Sequence, residues 1–227
     1  MMHEGHRNRV RKKFLETGID SFEDHEVLEL ILFYAIPRKN TNEIAHKLLE
    51  TFGSIPAILD APIGHLKKVP GMGDSAATFI KLLTAVSRLY LEKQYENLSA
   101  PLNEFETKRK LVAKFVGRNE EAMAMILFDA KGKIVYDGIV SHGSINAVDV
   151  YMRKMLELII FYNASSVLIA HNHPSGLAVP SVNDGEVTKK MSIMFSSIGV
   201  DFIDHIVVAD GDYVSMKECK IPGIFNN

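Results

Sequence analysis

The chain has 227 residues, of which 47% are hydrophobic and 24% charged, and a formal net charge of −2 at pH 7. These values are typical of a globular protein with one large or two small domains, and they exclude a global field that would attract nucleic acid or membrane. The single cysteine, Cys219, excludes an internal disulfide, and we expect a cytoplasmic protein without a membrane partner, because the N-terminus lacks an apolar signal core and no apolar run approaches the roughly 20 residues that span a bilayer.

Residues 1–95 are predicted to form a small all-α domain. Apolar residues recur at helical spacing in three of its segments: 6–18, 21–35 and 41–53. Ser21 and Thr41 are expected to cap the second and third helices at their N-termini, and Gly18 and Gly53 are typical C-terminal stops. Short polar links between the segments favour a helical bundle.

The segment HLKKVPGMGDSAA (65–77) places Gly71, Met72 and Gly73 between two apolar helical stretches. It resembles a helix-hairpin-helix, a module that grips the DNA backbone, because the amides of such a hairpin and of the next helix can hold a phosphate. Asp74 would repel phosphate, and positive charge would have to come from elsewhere: Lys67, Lys68, Arg7, Arg9, Arg11, Lys12 and Lys13. A plain connector between two helices of the bundle remains the alternative.

Residues 96–104 are polar and are predicted to be a linker, and residues 105–227 alternate strands with helices. Two strands joined by a turn at 129–132 come first, followed by a long helix, a strand with a continuous apolar run at 167–170, a second helix and two closing strands. The pattern predicts an α/β (α+β) domain, with a mixed sheet flanked by helices.

The strand at 165–173 ends in two histidines, and a serine and an aspartate follow after a loop. Because side chains alternate along a strand, His171 and His173 project to the same side. With Asp184, one turn into the helix that begins at Ser181, they make three ligands and leave zinc an open fourth position, as in catalytic sites. Taken one at a time, these residues have ordinary structural explanations: a helix N-cap, an anion in the first turn of a helix, and surface histidines.

The spacing His-x-His, seven residues, Ser, two residues, Asp resembles the JAMM motif of JAB/MPN metalloprotease-like domains. HNHPSG together with a helical N-terminal domain resembles the bacterial RadC family, and the resemblance extends from RKKFLETG and EVLELIL through VPGMGDSAA to DHIVV. The chain departs from the family at Leu177, where an acidic residue is usual, and at VDVYMRK, where the family has a Pro-Arg-Glu-like stretch. Neither position is a proposed ligand, so the departures concern substrate contacts.

The resemblance implies a zinc-dependent hydrolase, a metallopeptidase or isopeptidase that uses zinc-bound water, with one Zn²⁺ per chain. His171, His173 and Asp184 would be the metal ligands. Glu121 at the start of the first strand would be the general base, with neighbouring Glu120 as the fallback. Ser181 would donate a hydrogen bond to the oxyanion of the tetrahedral intermediate.

The alternative hypothesis is a DNA-binding accessory protein in repair or recombination with a non-catalytic metal site, since the RadC family has been grouped with DNA repair proteins. A metal-dependent nuclease ranks lower, because HNH nucleases spread those residues over a ββα unit. His142 and His205 are candidates for orienting a ligand histidine, but for each of them ordinary core or surface packing is favoured. Ser144 is a candidate for lining the cleft, and Cys219 is not expected to act as a nucleophile.

Overall fold

The computed structural model describes residues 2–37, 39–94, 104–143, 148–174, 176–219 and 225. The chain divides into two compact units, Met1–Ser87 and Arg88–Asn227. The predicted linker at 96–104 lies outside the described residues except for Glu104, which begins a helix. Among the described residues, no helix combines the length and the apolar character that crossing a bilayer would require.

The first unit is helical, as predicted. Its helices are α1 (Met2–Thr17), α2 (Asp24–Ala35), α3 (Thr41–Phe52), α4 (Ile55–Asp60), α5 (Ile63–Leu66) and the start of α6 (Asp74–Gln94). Leu28, Leu48, Ile58 and Ile80 have no exposed surface and form the centre of the core. Burial of such aliphatic side chains is the main force that holds short helices together.

The two predicted N-caps are wrong by one or two positions. Helix α2 is capped by Glu23, which forms a reciprocal capping box with Glu26, and α3 is capped by Asn40. Ser21 instead places its hydroxyl 2.7 Å from the hydroxyl of Thr17. Local competition among several cap-type side chains decided these helix starts, and spacing in the sequence does not resolve it.

Residues 67–73 join α5 to α6 and contain the predicted hairpin of Gly71, Met72 and Gly73, with a backbone that only glycine fits at Gly71. The φ of Gly71 is +99°, and a Cβ there would lie 2.7 Å from Cδ1 of Ile44. Met72 is 6% exposed and packs in the helical core, and its N–H donates to the carbonyl of Val69 at 3.0 Å. The hairpin is therefore fixed by packing on its inner side.

The second unit contains the predicted mixed sheet. Its elements after α6 are α7 (Glu104–Phe115), β1 (Ala122–Phe128), β2 (Ile134–His142), α8 (Val148–Phe161), β3 (Ser166–Asn172), α9 (Val182–Ser197), β4 (Asp201–Ala209) and β5 (Asp212–Ser215). The strand order is β2-β1-β3-β4-β5, in which β3 and β4 are parallel and every other neighbouring pair is antiparallel.

Alternation along the strands divides the sheet into two faces. Odd-numbered residues of β1 and β3, such as Met125 and Ile169, pack with residues of α8 and α9. Even-numbered residues, such as Ile126 and Leu168, pack with Leu111 of α7. Each apolar face is thus covered by helices, the arrangement expected when both sides of a sheet are hydrophobic.

Helix α7 was not predicted, because its sequence EFETKRKLVAKF is so charged that it is typical of a solvated segment. Three of its lysines are nevertheless buried, and each one has acidic partners. Lys108 lies 2.9 Å from Glu104 and from Glu218, while Lys110 and Lys114 lie 2.7 and 2.8 Å from the carboxylate of Asp137. These partners are distant in sequence in most cases, which is why composition alone misplaces the helix.

Candidate metal centre

The candidate site lies where β3 ends and α9 begins. Because β3 and β4 are parallel neighbours connected by α9, the first turn of α9 returns beside the carboxyl end of β3. This crossover brings Asp184 of α9 to His171 of β3 and to His173, which directly follows the strand and donates its N–H to the carbonyl of Val208 at 2.8 Å. Asn172, between the two histidines, lies on the opposite face of the sheet.

The three predicted ligands are brought together. Nε2 of His171 lies 3.2 Å from Oδ1 of Asp184 and 3.0 Å from Nε2 of His173, and the latter lies 3.4 Å from Oδ2 of Asp184. Ligand atoms at about 2.0–2.2 Å from a tetrahedral zinc are separated by about 3.3 Å. The donor types fit a zinc ion, and so do these separations, which run to a different oxygen of Asp184 for each histidine.

Burial differs among the three residues. His171 and Asp184 are 1% exposed, whereas the side chain of His173 retains 21% of its surface. An ion held by these atoms would thus be reached by solvent or substrate from the side of His173. An accessible position beside three protein ligands is the feature that separates catalytic from structural zinc sites.

The carboxylate of Asp184 is held in its charged form. Burial alone would raise its pKa, but the close contact with His171 and the hydrogen bonds from Ser181 outweigh burial and keep the pKa of Asp184 below its usual range. Both the backbone N–H and the hydroxyl of Ser181 donate to Oδ2 of Asp184, at 2.7 and 2.6 Å. A metal ligand must be deprotonated, so this environment prepares Asp184 for that role.

Ser181 is the N-cap of α9, and its oxygen accepts the N–H of Asp184 at 3.1 Å. Together with the bonds from Ser181 to the carboxylate, this contact completes a capping box. The ordinary interpretation of Ser181 thus describes its present contacts. Donation to an oxyanion stays a prediction, because the single hydroxyl proton would have to turn away from Asp184.

Glu121 directly precedes β1 and is partly buried. In the antiparallel pairing of β1 with β3, Met123 lies opposite His171, so the same register extended by two residues places Glu121 opposite His173. Glu121 and His171 line one small pocket together with Met123, Ser141 and Tyr151. The predicted location of Glu121 beside the candidate ligands is therefore consistent with the fold.

Sequence reasoning undervalued His205 and missed Thr188. His205 of β4 is 1% exposed, and its Nε2 lies 2.8 Å from Nδ1 of His171. Burial, together with the neighbouring His171, lowers the pKa of His205 well below its usual value, so the ring is neutral. Thr188 of α9 lies 2.6 Å from the other nitrogen of His205. The spacing of residues in the sequence does not reveal that β4 lies beside β3, so it could not place His205 next to His171. Of the other two candidates, His142 is exposed at the end of β2, and Ser144 lies outside the described residues.

In the helical unit, several basic side chains are occupied by contacts within the protein. Lys67 pairs with Asp74 at 2.5 Å, and Lys68 is exposed beside it. Arg7 is buried and donates to the carbonyls of Phe33, Ile36 and Lys39, where it closes the C-terminal end of α2. The remaining members of the predicted basic cluster include an exposed Arg9, Arg11 over two aromatic rings, and the ion pairs Lys12–Glu16 and Lys13–Glu26.

Comparison with known proteins agrees with this architecture. Residues 102–221 match the family model of the RadC-like JAB domain, and residues 3–78 match that of the UPF0758 N-terminal domain. A UPF0758 protein of Fusobacterium nucleatum is 32% identical over 95% of this chain and 96% of its own length. UPF0758 proteins of Aliivibrio fischeri and Aliivibrio salmonicida are each 32% identical over 93% of this chain and 94% of their own.

Proposed function

The chain belongs to the RadC-like JAB domain family, and we propose that it is a zinc-dependent hydrolase that cuts a peptide or isopeptide bond. The observation that carries this proposal is the clustering of His171, His173 and Asp184, in which the two Nε2 atoms lie 3.0 Å apart and each lies 3.2–3.4 Å from an oxygen of the Asp184 carboxylate. Buried charges in proteins are paired or coordinate metals, and imidazole and carboxylate are donor types that zinc binds.

When bound, zinc would act as a Lewis acid and lower the pKa of a water molecule to about 7. The protein supplies the rest of the proposed chemistry. Glu121 accepts a proton from the attacking water and passes it to the departing amine, and its place opposite His173 supports this role. Ser181 donates a hydrogen bond to the developing oxyanion once its hydroxyl turns from Asp184.

Metal analysis of the purified protein tests the ligand set. We expect about one zinc per chain in the wild type and a large loss in His173→Ala and in Asp184→Ala, because each variant removes one of only three protein ligands. His142→Ala is the matched control, since this exposed histidine lies at the end of β2. Equal zinc content in all four proteins would defeat the proposal.

Hydrolysis tests the reaction. The zinc-loaded protein is incubated with a library of quenched fluorescent peptides and with peptides joined through a lysine side chain. We expect cleavage that Glu121→Gln abolishes without loss of zinc, and that Glu120→Gln leaves intact, because the exposed side chain of Glu120 is expected to face away from the ligands. Cleavage retained in Glu121→Gln would remove Glu121 as the base.

A DNA-binding accessory role is the second candidate, and the helix–hairpin–helix arrangement of α5, residues 67–73 and α6 favours it. The pairing of Lys67 with Asp74 lowers the positive charge available at this hairpin. Gel shifts on branched and duplex DNA at several salt concentrations test the idea, since binding to phosphates weakens steeply with salt. The decisive comparison is with Lys68→Ala: binding that is absent, insensitive to salt or unchanged in this variant would remove the hairpin from consideration.

A further inference from the structure

A buried chain of polar groups leads away from the metal-facing side of His171. Nδ1 of His171 lies 2.8 Å from Nε2 of His205, and Nδ1 of His205 lies 2.6 Å from the hydroxyl of Thr188. That hydroxyl donates to the backbone carbonyl of Asp184 at 2.5 Å. His171, His205 and Thr188 are at most 1% exposed, so these contacts are shielded from bulk water.

The donor and acceptor of each hydrogen bond in this series follow from its last member, the backbone carbonyl of Asp184. A backbone carbonyl only accepts, so the single hydroxyl proton of Thr188 points to Asp184, and the oxygen of Thr188 accepts from Nδ1–H of His205. The sulfur of Met216 lies 3.3 Å from the same hydroxyl, but a thioether is a far weaker acceptor than a carbonyl.

The ring of His205 is only 1% exposed, and burying a charged imidazolium is costly. With its proton on Nδ1, its Nε2 is an acceptor. Nδ1 of His171 must therefore donate to it, and the lone pair of His171 remains on Nε2, the atom that faces His173 and Asp184. The opposite direction would leave the carbonyl of Asp184 and the oxygen of Thr188 facing each other without a proton at 2.5 Å.

We propose that Thr188 and His205 form a directional hydrogen-bond relay that holds His171 in the tautomer presenting Nε2 to the metal. The relay begins on the backbone of Asp184, so it links the first turn of α9 through β4 to β3 and sets two ligands in one geometry. Thr188 and His205 are positioning residues in this scheme. The purpose of this relay rests on the proposed metal site, but its protonation pattern is a property of the metal-free protein.

Nuclear magnetic resonance of metal-free protein tests the direction without any reference to zinc. Two-bond ¹H–¹⁵N correlations of the imidazole rings reveal which nitrogen carries a proton, and single histidine variants assign the signals. For His205 we expect a protonated Nδ1 and an unprotonated Nε2, and for His171 a protonated Nδ1. A proton on Nε2 of His205 would reverse the relay and overturn the proposal.

A pair of Thr188 variants tests the consequence. Thr188→Val keeps the shape but removes the hydroxyl, whereas Thr188→Ser keeps the hydroxyl. Loss of a partner that orients a metal-bound histidine typically weakens metal binding by about 10–100-fold. We expect that loss in Thr188→Val and near wild-type affinity in Thr188→Ser, measured by competition with a chromophoric zinc chelator.

Circular dichroism and the melting temperature of the metal-free variants show whether they fold. Equal zinc affinity in Thr188→Val and the wild type, or equal losses in both variants, would overturn the relay. Failure of the wild type to bind zinc would overturn the proposed function instead, and the protonation pattern of His205 would then decide the relay alone. If Thr188→Val does not fold, His205→Gln replaces it: its amide oxygen can accept from Nδ1 of His171, so zinc affinity should exceed that of His205→Leu.

Discussion

Asn172 accepts a hydrogen bond from the backbone N–H of Ala122 at 2.8 Å, while its own Nδ2 donates to the carbonyl of Glu120 at 3.2 Å. The two tethered residues flank Glu121, the proposed general base. The residue between the two histidine ligands therefore holds the backbone on both sides of Glu121, although its side chain lies on the other face of the sheet. One strand end thus positions both histidines and the segment that carries Glu121.

Replacing Asn172 by alanine should loosen the segment around Glu121 and leave zinc binding intact. The buried N–H of Ala122 would lose its partner, which typically costs about 1–3 kcal/mol. We expect faster hydrogen exchange at the Ala122 amide and a lower free energy of unfolding, with unchanged zinc content because Asn172 offers no ligand. Asn183→Ala, at an exposed asparagine of α9, is the control. Unchanged exchange at Ala122 would show that the tether is unimportant.

Replacing Ser181 by alanine should weaken both α9 and the metal site. The variant loses an N-cap, which costs about 1 kcal/mol, and also loses the hydroxyl that donates to Oδ2 of Asp184. Ser54→Ala is matched to it, since Ser54 caps α4 by accepting the N–H of Ala57. Both variants should unfold more easily in denaturant, but only Ser181→Ala should bind zinc more weakly in chelator competition. Equal zinc affinities would separate the cap from the site.

Replacing Gly71 by alanine should destabilise the helical unit. The new Cβ would lie 2.7 Å from Cδ1 of Ile44 at a φ of +99°, a combination of overlap and backbone strain that costs about 1–3 kcal/mol. The matched change is Gly73→Ala, because a Cβ at Gly73 meets no atom within 4 Å. Chemical denaturation followed by circular dichroism compares the two. A Gly71→Ala protein as stable as Gly73→Ala would contradict the packing of this hairpin.

Removing zinc should lower the melting temperature of the wild type. A ligand present at 100 times its dissociation constant stabilises the folded state by about 2.7 kcal/mol. Asp184→Asn keeps the size of the side chain but replaces the charged ligand with a neutral amide, so its melting temperature should respond little to added zinc or to chelator. Scanning calorimetry with and without a chelator makes the comparison, and an equal response of both proteins would place the zinc elsewhere.

The sequence by itself indicated most of the helices and strands and the candidate ligands. Hydrophobic periodicity located the longer helices of the first unit and the strands of the second, because the spacing of apolar side chains is a local property of the backbone. The interval from His171 through His173 to Asp184 indicated the metal site for a similar reason, since a strand, a loop and the first turn of a helix are contiguous in the chain.

Only the tertiary structure decided which side chains distant in sequence form hydrogen bonds with those candidate ligands. His205 lies beside His171 because β4 pairs with β3 in parallel, and Thr188 completes the chain because α9 packs on that face. The buried lysines of α7 likewise depend on Asp137 and Glu218, far away in sequence. Strand order and the pairing of buried polar groups arise from long-range packing, and local residue spacing carries no information about them.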